Sequence, residues 1–191
     1  RIVLNNFDVK GNVIHYDFNK FKEIESCTLN RFEINDDIID KLNEMKNLKT
    51  IVFCHCIFKS ERKLVSNVEN LMIIYCKNVQ YSNFLNASKV RNLMFTNVEN
   101  IDVKDIKVFE NIEELSIFEC EIKNFSAIDD LKKLKDLKLD GSKIDDEEKI
   151  HEIMREKIKE INNIMPAYKS IRGVVLSETP LIKTTTNKIK R

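Results

Sequence analysis

Apolar residues return along this chain in one fixed arrangement. Two of them stand one position apart, an apolar or small residue follows three later, and often another comes two beyond that. The arrangement reads Ile24, Cys27, Leu29, Phe32, Ile34 and then Leu48, Ile51, Phe53, Cys56, Phe58. It continues with Val68, Leu71, Ile73, Cys76 and with Val90, Leu93, Phe95, Val98. Ile112, Leu115, Ile117, Cys120, Ile122 and Leu134, Leu137, Leu139, Ser142, Ile144 follow. Ile2, Leu4, Phe7, Val9 fit at the start, and Ile171, Val174, Leu176, Thr179, Leu181 fit at the end. Alternation sends neighbouring strand residues to opposite faces, so each close pair predicts a short strand with one face inward. The first inward residues are at 2, 27, 51, 71, 93, 115, 137 and 174.

Upstream of the strands the apolar spacing changes to three. Phe18, Phe21, Ile24 show it, as do Ile39, Leu42, Met45, Leu48 and Val103, Ile106, Phe109, Ile112. That spacing keeps one side of a 3₁₀-like or extended return segment inward. Two stretches read as helix. A mild one covers about 36–46. A stronger one covers about 146–165, where Ile150, Ile153, Met154, Ile158, Ile161 and Met165 form an apolar stripe. Asp145 or Asp146 is placed to cap it, Glu147 and Glu148 suit its positive end, and Pro166 stops it.

The recurring unit resembles the leucine-rich-repeat pattern L-x-x-L-x-L-x-x-N/C-x-L, and the resemblance covers nearly the whole chain. The units are divergent: the Asn/Cys position holds Cys56, Cys76 and Cys120, but elsewhere Phe7, Phe32, Val98, Ser142 and Thr179. The implied fold class is α/β. It is a leucine-rich-repeat solenoid, or horseshoe, with a parallel β-sheet on its concave face, short 3₁₀ or irregular convex segments and a C-terminal α-helix. Residues 1–181 are expected as one solenoid domain of about eight strands, with helix 146–165 inserted before the last strand and packed over the convex or C-terminal side. Residues 182–191 are expected as a basic, flexible tail, and residues 9–13 as either part of the first unit or a capping hairpin turn.

Composition narrows the chemistry. Three glycines leave almost no supply for a phosphate-cradling loop, and a net charge of +1 gives no general attraction to nucleic acid or anionic membranes. No apolar run approaches membrane-spanning length. The five cysteines form no C-x-x-C pair, so no metal or redox motif is read and no cofactor is expected. Cys54-His55-Cys56 resembles a metal fragment, but alternation splits its side chains between two faces. His15, His55 and His151 are too scattered for a nucleophilic triad, so the chain is not expected to be an enzyme. Free thiols favour a reducing, cytoplasmic location. Residue 1 is Arg, which leaves open a removed leader and hence a secreted location.

In the family the resemblance implies, partners bind the concave sheet. Its outward columns include Val3, Thr28, Val52, Met72, Met94, Ser116, Lys138 and, beside them, Asn5, Asn30, Cys54, Ile74, Thr96, Phe118, Asp140. A third runs Asn6, Arg31, His55, Tyr75, Asn97, Glu119, Gly141. The middle is rich in apolar and interface-type side chains, which marks Val52, Cys54, His55, Met72, Ile74, Tyr75, Met94, Thr96 and Phe118 as candidate partner-binding residues. The expected function is a non-catalytic protein–protein interaction module, an adaptor, regulatory or assembly subunit. The alternatives are a ribonucleoprotein subunit touching RNA through Lys183, Lys188, Lys190 and Arg191, or a secreted effector or surface protein.

Overall fold

The computed structural model describes residues 1–6, 15–65, 67–84, 86–166 and 169–171. The class is mixed α/β, with a large parallel sheet and a C-terminal helix. By compactness the chain divides into two units, Arg1–Asp146 and Glu147–Arg191. The division falls inside the stretch expected as one domain.

The first unit is built on an open seven-stranded parallel sheet whose strands lie in chain order. They are β1 (Ile2–Asn5), β2 (Ser26–Asn30), β3 (Thr50–Cys54), β4 (Asn70–Ile74), β5 (Asn92–Thr96), β6 (Glu114–Phe118) and β7 (Asp136–Asp140). Ile2, Cys27, Ile51, Leu71, Leu93, Leu115 and Leu137 stand opposite one another across the whole sheet. This is the column read from the apolar spacing. The eighth expected strand, near 174–181, and the turn at 9–13 lie outside the described residues, as does the tail.

Alternation sets the burial. Cys27 and Leu29, Ile51 and Phe53, Leu71 and Ile73, Leu93 and Phe95, and Leu115 and Ile117 are all buried. Burying such side chains is worth about 1.5–3 kcal/mol each. The column is not uniform, however. Leu137 and Leu139, expected to be core, are only half-buried on β7, as Ile2 is on β1. Among the described residues these two strands are paired on one side only, which leaves these three side chains less covered, although Leu4 on β1 is buried.

The return segments are short, as expected. They include 3₁₀ turns at Phe18–Phe21, Tyr81–Asn83, Ala87–Lys89 and Phe125–Asp130, and the one-turn helix α2 (Val103–Ile106). Aromatic residues fill the space behind the sheet: the Tyr81 ring meets Phe95 at 5.6 Å and Phe109 at 6.2 Å between centroids. The mild helix is α1 (Asp36–Asn43), and it is a full α-helix. Asn35 caps it, its side chain accepting the Ile38 N–H at 3.0 Å, while Ile38, Ile39 and Leu42 are buried. Of the two acids expected as helix caps, Asp146 directly precedes the C-terminal helix, while the carboxylate of Asp145 accepts the N–H groups of Asn124 and Phe125 and so secures the start of the Phe125–Asp130 turn. The second unit contains α3 (Glu147–Ile164), which has no fully buried residue.

Candidate functional site

The outward face of the sheet carries every residue marked as partner-binding except His55 and Tyr75, which follow the strand ends. Strands β3 to β6 bring Val52, Met72, Met94 and Ser116 into one row and Cys54, Ile74, Thr96 and Phe118 into the next. Val52, Cys54, Met72, Ile74, Met94, Thr96 and Phe118 are half-buried, not freely exposed. Strands about 4.8 Å apart shield each other's side-chain flanks and leave the tips open. Ser116, expected in the exposed column, is 8% exposed. It stands in register between Met94 and Lys138, both of which have longer side chains.

Charge is distributed unevenly over this face. The outward residues of β2 to β5 are Ser26, Thr28, Asn30, Thr50, Val52, Cys54, Asn70, Met72, Ile74, Asn92, Met94 and Thr96. None is charged, although charged residues make up 33% of the chain. The polar members bond mainly to one another: Asn92 donates to Asn70 at 2.6 Å, Asn70 to Thr50 at 3.2 Å, and Asn30 to Asn5 at 2.7 Å. The adjoining end of the face differs. Glu114, Asp136 and Asp140 stand there with Lys138, which pairs with Asp136 at 2.9 Å.

The row just past the strands has a feature the sequence reading did not find. Arg31, His55, Tyr75, Asn97, Glu119 and Gly141 all hold a left-handed backbone, with φ between 50° and 63°. The N–H groups of the five residues from Arg31 to Glu119 nevertheless extend the sheet's hydrogen-bond ladder by one rung. Arg31 donates to the Cys54 carbonyl, His55 to Ile74, Tyr75 to Thr96 and Glu119 to Asp140, each at 2.8 Å. The left-handed turn lets the chain leave the sheet without losing that bond. Asn and Gly adopt this conformation readily, but bulky residues do so at about 1–2 kcal/mol each. The signal in the sequence was Asn97 and Gly141 in one column. His55 and Tyr75 are exposed and their rings stack, with centroids 4.8 Å apart and planes 7° apart. Beside His55, an open depression of about 630 Å³ is bordered by Asn6, Tyr16, Arg31 and Lys41.

Behind the row, sulfur and hydroxyl groups tie down the bend. The Cys56 N–H donates to Cys76 Sγ at 3.4 Å, Val98 N–H to Cys120 Sγ at 3.4 Å, and Cys120 N–H to Ser142 Oγ at 3.2 Å. The thiols are structural partners. Burial pushes the Cys27 thiol up to about 12 and raises those of Cys54 and Cys120 as well. Such thiols form little nucleophilic thiolate. The Cys54-His55-Cys56 fragment is divided, with Cys54 on the outward face, Cys56 buried and His55 stacked on Tyr75. All five cysteines are free. Among the described residues, no helix is long and apolar enough to cross a membrane.

No family model, curated protein or solved structure matches this chain. The site's own geometry therefore carries the functional reading. It offers an uncharged, half-apolar sheet face, an aromatic ledge along one margin and an acidic end.

Proposed function

We propose that the chain is a divergent leucine-rich-repeat solenoid that acts as a non-catalytic protein-interaction module. Its partner is another protein, bound over Val52, Cys54, His55, Met72, Ile74, Tyr75, Met94, Thr96 and Phe118. The parallel register of strands whose first inward residues are 20 to 25 positions apart supports the solenoid. The binding reading rests on one observation: four consecutive strands present no charged side chain on their open face. Depletion of charge at the centre, with Met and Tyr enriched, is the composition of an interface core. Strand propensity would account for Val and Ile there, but it does not account for two methionines side by side. The five free thiols suit a reducing, cytoplasmic location.

The test compares the unaltered protein with Met72→Asp and Phe118→Asp in affinity purification from source cells. The expected outcome is a protein recovered by the parent and absent from both variants, with unchanged far-UV circular dichroism and thermal transition. Equal recovery by folded variants overturns the assignment of this face. A steep loss of binding with added salt, together with recovered RNA, would favour RNA contact in its place.

A further inference from the structure

Resting on that reading, we propose that the occupant of the outward face is an amphipathic α-helix of the partner, laid across the strands with its N-terminal, basic end over Glu114, Glu119, Asp136 and Asp140. The first argument is hydrogen bonding. Strands β2 to β6 are paired on both sides, so their backbone donors and acceptors are consumed within the sheet. The side-chain amides of Asn70 and Asn92 are engaged along their own column. The centre, Val52, Met72, Ile74 and Met94, offers a ligand almost no polar partner. An extended peptide placed there would strip water from its own N–H and C=O groups and find nothing in exchange. A helix satisfies those groups internally and needs only apolar contact from the face.

The second argument is shape. From Arg31 to Glu119 the left-handed row crosses four strand spacings, roughly 19 Å at about 4.8 Å each. Along a strand, the outward positions extend roughly 13 Å. That band matches a helix about 10–12 Å across and about 13 residues long. The third argument is charge. One end of the band has four carboxylates, those of Glu114, Glu119, Asp136 and Asp140, against the ammonium of Lys138. The other end has Arg31, with which no described carboxylate forms an ion pair. A helix carries partial positive charge at its N-terminus and partial negative charge at its C-terminus. The face therefore selects one polarity.

The probes are two phage-displayed libraries of 16-residue peptides. One is patterned with apolar residues at helical spacing, the other with strict alternation. Selection on the full chain is expected to enrich the helical library, with Lys or Arg concentrated in the first turn. Enriched peptides should gain ellipticity at 222 nm on binding and lose measurable affinity for Met72→Asp. The double variant Glu119→Lys, Asp140→Lys, confirmed as folded, should bind at least about tenfold more weakly. Replacing the peptide's first-turn basic residues with Glu should restore the affinity. Enrichment of the alternating library alone, with binding still lost in Met72→Asp, overturns the helix and leaves the interaction face standing. Helical binders that are indifferent to the charge reversal overturn the polarity. If neither library gives binders sensitive to Met72→Asp, this inference and the interaction face both fall.

Discussion

Strands β4 and β7 have the same length and lie in the same register, yet they are dressed in opposite ways. Outward, β4 shows Asn70, Met72 and Ile74, while β7 shows Asp136, Lys138 and Asp140. Inward, Leu71 and Ile73 of β4 are 1% and 0% exposed, whereas Leu137 and Leu139 of β7 are half-buried. Even the residue after each strand differs, Tyr75 against Gly141. The backbone template is shared, so these differences lie in the side chains and in the neighbours each strand has. On β7 the outward charges discourage pairing with another chain, whereas β1 at the other end of the sheet shows Val3 and Asn5. An inner strand is freed from that duty, and its open face can be uncharged. That freedom explains why an uncharged face is possible at β4. It does not explain why methionines occupy it; the proposed partner binding would.

Truncating the inward residues tests the comparison with the largest effect. Leu71→Ala removes a fully enclosed side chain and is expected to cost about 2–5 kcal/mol. Leu137→Ala should cost roughly half as much or less, because its side chain has less contact to lose. Urea unfolding of the two variants checks this. Equal costs would mean that β7 is as enclosed as β4 and that the contrast is false.

A smaller effect is expected in the left-handed row. Gly141 has φ of +62°, and a Cβ there would stand 3.3 Å from Cγ of Glu119. Gly141→Ala is therefore expected to cost about 1–2 kcal/mol. The converse change, Glu119→Gly, relieves the same strain and should be neutral or stabilising by up to about 1 kcal/mol, net of added chain entropy. His55→Gly should gain less, because it also breaks the stack with Tyr75, worth about 0.5–1.5 kcal/mol. Thermal unfolding ranks the three. If Glu119→Gly is as destabilising as Gly141→Ala, the left-handed row is not strained.

The sheet was legible in the sequence because each inward pair obeys a period of two and recurs at a nearly constant interval. Column members could be aligned from Ile2 to Leu137 without coordinates. What was hidden depended on neighbours. Ser116 is buried beside Met94 and Lys138 in the sheet, and neither is near it in sequence. Asp145 looks like a helix cap because acids follow it, but its carboxylate serves Asn124 and Phe125 on the preceding strand's return. The left-handed row was masked by its occupants: Arg31, Tyr75 and Glu119 are residue types that are uncommon in that conformation. Which residues would share the outward face could be read. How far each would be shielded could not, because shielding depends on the lengths of side chains from two other strands.

The subtlest expected effect separates the two ends by pH. Glu113, just before β6, lies between Arg91 and Lys135, with its second oxygen 2.6 Å from Lys135 Nζ. Hydrogen bonds from Lys135 and then Arg91 hold its carboxyl below the ordinary value of 4.5. The folded state therefore binds this proton less readily than the unfolded state. The stabilising contribution is fully present above the unfolded value and is lost as pH falls through the lower, folded one. The corresponding position before β4 is Glu69, whose carboxyl forms no ion pair among the described residues. Between pH 6 and pH 3 the melting temperature of Glu113→Gln should start below that of the parent and converge on it. Glu69→Gln should follow the parent throughout. Exposed pairs contribute little and are screened by salt, so the gap should be small and should shrink further in 1 M salt. Parallel curves for Glu113→Gln would mean that Arg91 and Lys135 do not hold the carboxylate, and that the margin before β6 is no more tied by charge than the margin before β4.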